Sequence, residues 1–320
     1  MLSGWTGLRR ARAVAGTAAM LLAGAVTAPA AFASDHNVSI STADETPLER
    51  CDQVKVFFGS KRHPLPTARD ERSFTLKGSE TRTLQMHVEG TAGMALRGSK
   101  GSDYVVTACL AAAGSTDEKA RASLGGIQVA FDAGRLSLSG PEEEENDWMV
   151  YFLVQVPDGS TLDLRADNGP IGLSDVSGTI RARTHNGPLE LDGCEGEIDV
   201  AAENGPVSLR AGGGRQKVSV VNGPLAIELR GTRWDGDGIE ADTKNGPLSL
   251  TIPERYESGV SLEMSGNGPI HCSNGCEGAW VPGHSQNLLF GSSHPVIHIT
   301  TVNGPVEIDS GTKARRQASI

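Results

Sequence analysis

The chain has 320 residues and a formal net charge of −10, which excludes nucleic acid and anionic membrane as electrostatic partners because neither finds a basic surface to meet. With 40 glycines and only 4% aromatic residues, it suits a fold of many tight corners packed with small and β-branched side chains. Its length is ample for a core.

Residues 1–33 read as a secretory signal: Arg9, Arg10 and Arg12 form the positive region, Ala13 to Val26 the apolar core, and Ala31-Phe32-Ala33 a small-residue cleavage site. The mature chain then starts at Ser34. General secretion is the better match, because the residues after Arg9-Arg10 fit the twin-arginine signal poorly. No later stretch reaches the ~20 apolar residues of a membrane span. The expected product is exported, periplasmic or extracellular, and not membrane-spanning.

Residues 34–50 are polar and aperiodic, which predicts a flexible leader. From 51 to 157 the alternating runs Ser73 to Leu76, Thr83 to Val88, Tyr104 to Ala108, Ile127 to Phe131, Arg135 to Ser139 and Trp148 to Val156 predict an irregular β segment. Its expected role is to cover the edge of the first coil of the repeats that begin at residue 158. The acidic run Glu142 to Asp147 reads as a solvated hairpin loop, since a calcium site needs carboxylates that converge.

Residues 158–309 carry the organising pattern. Asn-Gly-Pro recurs at Asn168, Asn186, Asn204, Asn222, Asn245, Asn267 and Asn303, with offsets of 18, 18, 18, 23, 22 and 36. Apolar alternation flanks each copy, as in Ile180-Ala182-Thr184 before and Leu189/Leu191 after. Such a unit cannot close a core alone, but stacked units bury a continuous one. The prediction is an all-β fold, a parallel β-solenoid of the single-stranded β-helix type. Gly provides the sharp corner, and Pro opens a strand where no N–H is needed. The seven Asn then stack about 4.8 Å apart as a structural ladder of side-chain amides. Val260, Leu262 and Met264 are one residue out of phase, predicting a bulge or shifted corner at Asn267. Residues 310–320 read as a disordered tail.

From about Gly125 onward the sequence resembles the bacterial putative adhesin family of exported β-solenoid proteins. The likeness rests on Gly125-Gly126-Ile127, on the Trp148 to Val156 strand ending in Val-Pro-Asp-Gly, and on the Asn-Gly units. The resemblance implies a non-catalytic envelope or extracellular binding or structural protein, with no cofactor and no catalytic residues to carry over. Its partners would be envelope or surface components, polysaccharide or protein. The alternative is a solenoid-type polysaccharide lyase or hydrolase, which needs paired carboxylates in an aromatic-lined groove; Glu190 with Asp192 or Asp199 is the only pairing that invites it, and all three read more simply as solvated.

Five cysteines in an exported chain invite disulfides. Cys51 and Cys109 are natural partners, as are Cys272 and Cys276. Cys194 takes the inward slot that Val176 fills one coil earlier. His271, Cys272, Cys276, His284, His294 and His298 match no zinc-finger spacing, so no metal is expected there. Asp235-Gly236-Asp237-Gly238 lacks the spacing of a calcium loop. Loops that break the period are the expected carriers of recognition, with Trp234, Asp235, Asp237 and Trp280 as candidate ligand residues, although packing is the plainer reading of Trp234.

Overall fold

Alternation at period two makes strands with one apolar face, and stacking in register joins those faces into a core. In the computed structural model the described residues are 38–42, 48–60, 62–141, 147–266, 268–274, 286–291, 293–311 and 315–316. The signal segment, Asn267, Cys276, His284, Trp280 and most of the acidic run lie outside them.

The chain opens with strands β1 (Val38–Thr42), β2 (Val54–Ser60), β3 (His63–Pro64), β4 (Thr67–Leu76), β5 (Leu84–Ser99) and β6 (Tyr104–Ala113). Helix α1 (Asp117–Gly126) comes next, then β7 (Gln128–Asp132), β8 (Arg135–Ser139) and β9 (Trp148–Pro157). Each repeat adds a long and a short strand: β10 (Ser160–Asn168) and β11 (Ile171–Ser174), β12 (Ser177–Asn186) and β13 (Leu189–Asp192), β14 (Glu195–Asn204) and β15 (Val207–Arg210), β16 (Gly213–Asn222) and β17 (Leu225–Glu228), β18 (Asp235–Asn245) and β19 (Leu248–Ile252). The last elements are β20 (Gly259–Met264), β21 (Ile270–Asn274), β22 (Gln286–Phe290), β23 (Pro295–Asn303), β24 (Val306–Ser310) and β25 (Arg315–Arg316).

Long strands pair in parallel with long strands and short with short, so the fold is an all-β parallel solenoid with two walls. Inward columns run straight through the stack. Leu164, Ala182, Val200, Val218, Ala241 and Ile299 form one on the long-strand wall, and Leu173, Leu191, Leu209, Ile227, Leu250 and Ile308 one on the short-strand wall, all fully buried. Each buried Leu or Ile contributes about 1.5–3 kcal/mol relative to exposure.

The stack begins earlier than residue 158. Strand β5 bends from one wall into the other, pairing Leu84–Val88 with β10 and Met94–Arg97 with β11, so it is itself a coil. It lacks Asn-Gly-Pro, which hid it from the repeat pattern. Beyond it, β9 is parallel to β5, while β6 and β4 continue that wall antiparallel. Helix α1 was not foreseen; Thr116 caps it by accepting from Lys119 N at 3.3 Å, and Asp117 and Glu118 occupy its first turn. Ile127, with Leu124, Phe74 and Phe131 packed beside it, covers the end of the core.

A second, smaller core lies outside the short-strand wall. Val54 and Phe58 of β2 pack on Cys109, Ala111, Met149, Tyr151 and Leu153, and the Cys51–Cys109 disulfide fastens this flap. Strand β1, in the segment expected to be a free leader, pairs antiparallel with β2. Arg315–Arg316, in the expected tail, pairs with β22.

The other end departs from sequential stacking. The coil β23–β24 lies between β18–β19 and β20–β21, paired in parallel with both. Residues between β19 and β23 therefore form an excursion: one coil laid outside the final one, topped by antiparallel β22. The 36-residue offset from Asn267 to Asn303 is not two periods but a step back into the stack. Met264 pairs with Thr301 and Ile270 with Val306; six residues against five is the one-residue bulge.

Candidate functional site

The Asn-Gly-Pro corner is the most regular polar feature of the described surface. Asn186 Nδ2 donates to Asn168 Oδ1 at 2.9 Å, Asn204 to Asn186 at 3.1 Å, Asn222 to Asn204 at 3.0 Å, Asn245 to Asn222 at 3.0 Å and Asn303 to Asn245 at 3.1 Å. The main chain runs a parallel ladder, with Gly169, Gly187, Gly205, Gly223 and Gly246 donating N–H to the next Asn carbonyl at 2.9–3.1 Å. Asn186 and Asn204 are partly buried and the other described rungs exposed, so the row edges the solvent; it is not a buried amide stack.

Space, more than conformation, dictates the glycine. A Cβ on Gly205 would lie 2.2 Å from Gly187 O, and one on Gly223 2.1 Å from Gly205 O. The coils touch backbone to backbone there. A second glycine stack, which the sequence pattern did not bring out, lies at the corner that opens each long strand: Gly178, Gly196 and Gly214, where a Cβ would come within 2.1–2.3 Å of the carbonyl one coil before. Its spacing of 18 was the available signal. A third corner holds Asp175, Gly193 and Ala211 at φ of 54°, 65° and 51°, the left-handed region that favours glycine.

One outward column of the long-strand wall alternates in sign from coil to coil. Asp163, Arg181, Asp199, Lys217 and Glu240 form it. Arg183 grips Asp199 through its carboxylate at 2.7 Å and its carbonyl at 2.6 Å, and His185 meets Glu203 at 2.6 Å. On the short-strand wall Arg210 bridges Glu190 at 3.0 Å and Asp192 at 3.9 Å, and Arg230 reaches Asp192 at 3.7 Å and Glu228 at 3.0 Å. Glu228 and Asp192 hold the Arg230 guanidinium above its usual range. Each exposed pair is worth about 0–1 kcal/mol; their geometric effect is to neutralise one coil against the next. Glu190 and Asp192 are thus tied to Arg210, and Asp199 to Arg183.

Trp234, named as a candidate ligand residue, is core: it is 7% exposed and its indole donates to Gly214 O at 2.9 Å. It cannot present a ring to a sugar. Asp235 and Asp237 are exposed, at the start of β18 and not in a free loop, with Asp235 in register with Gly213. Cys272 is disulfide-bonded. Cys194 is a free thiol, 1% exposed, whose pKa burial pushes up to about 12.

Gln216 was also missed. It sits in the column of Ile180, Ile198 and Ile239, 1% exposed. Gly212, in the slot of Val176 and Cys194, leaves room for its amide, which donates to Cys194 O at 2.9 Å and Gly213 O at 3.2 Å.

Among solved structures, a putative cell adhesion protein from Clostridium sporogenes is similar over 76% of this chain and 100% of its own, at 11% identity and a TM-score of 0.30. A putative adhesin from Bacteroides fragilis is similar over 76% of this chain and 97% of its own, at 14% identity and a TM-score of 0.36. No family model and no curated protein matches the chain.

Proposed function

We propose that this chain is an exported, non-catalytic binding or structural protein of the cell envelope or extracellular space. One observation carries the reading: the core uses every inward position and the corners use Asn, Gly and Pro, while the outward positions stand at fixed coil-to-coil spacing on a continuously hydrogen-bonded frame. A rigid frame with fixed side chains over several coils suits an extended surface component, polysaccharide or protein. The signal-like N-terminus and the Cys51–Cys109 disulfide support an oxidising compartment.

The experiment is retention on isolated envelope material, with the purified chain compared to a variant carrying Arg181→Glu and Lys217→Glu, the two cations of the outward column. Retention of the native chain that the variant loses, with unchanged melting, supports the reading. Absence of retention, or release of soluble sugar from polysaccharide above background, sinks it; the second outcome establishes the enzyme instead.

A further inference from the structure

The corner row repeats the dipeptide most prone to self-modification. In Asn-Gly the Gly backbone nitrogen can attack the Asn side-chain Cγ; the N–Cγ bond forms, the Cγ–Nδ2 bond breaks, ammonia leaves with the proton lost from Gly N, and a five-membered imide remains. Water then opens the imide at either carbonyl, giving Asp or isoAsp. Attack needs an Asn side chain able to swing onto the Gly nitrogen, and both a tied side chain and a tied N–H slow it steeply by spoiling the near-attack geometry.

The fold ties both. Gly169, Gly187, Gly205 and Gly223 each donate their N–H to the next rung. Asn186, Asn204, Asn222 and Asn245 are each tied twice, donating from Nδ2 to the rung before and accepting at Oδ1 from the rung after. Asn168 is different because the ladder starts there. It accepts from Asn186, but the coil before it offers Thr91 at that register, not a further Asn. Its amide nitrogen, the leaving group, has no rung to donate to, and the side chain is exposed.

We infer that the ladder protects its Asn-Gly peptides from imide formation and that Asn168, its first rung, is the site where the folded chain deamidates. The product Asp keeps the acceptor that Asn186 uses. The product isoAsp lengthens the main chain by one carbon and pulls Gly169 N–H off Asn186 O, so it unfastens the corner between the first repeat and the second.

Folded chain and chain unfolded in denaturant are aged in the same mildly alkaline buffer, and Asp and isoAsp at each Asn-Gly are read by peptide mass spectrometry. Unfolded, the five Asn from 168 to 245 should react at comparable rates, as their shared Asn-Gly-Pro sequence requires. Folded, Asn168 should lead the other four by about tenfold or more, because those must release two side-chain hydrogen bonds where Asn168 releases one. Thr91→Asn supplies the missing rung and should slow Asn168 while leaving Asn204 unchanged. Equal rates at Asn168 and Asn204 in the folded chain overturn the inference, as does a lead for Asn168 of the same size in the unfolded arm.

Discussion

Asn303 donates its side-chain amide to Asn245, 58 residues earlier, at 3.1 Å. That bond places the last coil of the chain one coil in from the end of the stack, where β23 serves both β18 and β20 and β24 serves both β19 and β21. The C-terminal coil is therefore a shared partner and not a terminal decoration. A chain ending at Ser293 leaves β18 and β19 with open parallel edges, strips β21 of β24 and leaves β20 with antiparallel β22 alone. We expect a melting temperature lower by ~10 °C or more and self-association through the exposed edges. Circular dichroism with light scattering checks this; an unchanged monomer would mean that β20–β21 closes directly onto β18–β19.

The ladder and the adjacent ion pairs are separable. Asn204 makes two side-chain hydrogen bonds, at 3.1 and 3.0 Å, and its neighbour Glu203 makes one exposed contact with His185. Asn204→Ala should cost about 1–2 kcal/mol and Glu203→Ala less than about 1 kcal/mol. Denaturant titration of both variants decides it, and equal midpoints remove the ladder's stabilising role.

Much of this fold is legible because one corner repeats chemically. Asn-Gly-Pro fixes the register of β10 to β19, and apolar alternation fixes which residues face in. What stayed hidden lacks that tag. Strand β5 carries Thr91-Ala92-Gly93 where the first repeat carries Asn-Gly-Pro, so the stack looked shorter than it is. The order of the last coils was invisible because an excursion and two further periods leave the same spacing in the sequence; only pairing distinguishes them. Gln216 holds the register of Ile180 and Ile198, but a polar side chain gives no inward signal until Gly212 is seen to vacate the slot beside it. Trp234 sits in a stretch that breaks the period, and breaks look like free loops, yet its indole is what seals the widened coil.

Backbone conformation makes opposite predictions at two corners. Ala211 holds φ at 51° where its neighbour one coil earlier is Gly193 at 65°. A side chain in that region costs about 1–2 kcal/mol, so Ala211→Gly should stabilise the chain by about 1 kcal/mol, less the entropy that glycine adds to the unfolded state. Gly205→Ala should destabilise it by ~3 kcal/mol or more, since the new Cβ meets Gly187 O at 2.2 Å and backbone cannot yield without breaking the ladder. Chemical denaturation of the pair checks both signs, and a stabilising Gly205→Ala would contradict the backbone contact.

The buried thiol of Cys194 gives a pH signature. Desolvation raises its pKa from 9.0 to about 12, so the folded chain keeps the proton that the unfolded chain gives up. The thiol's contribution is complete below pH 9 and is lost as pH rises from there toward 12. Over that window it costs up to about 1.4 kcal/mol per pH unit. Cys194→Ala opens a small cavity and should lower stability by about 1 kcal/mol at neutral pH, yet it should lose less than the parent chain as the buffer becomes alkaline, so the two stabilities converge. The native thiol should also resist alkylation at neutral pH and react once the chain is unfolded. Parallel pH dependences for the two chains, or rapid labelling of the folded parent, would show that Cys194 is open to solvent.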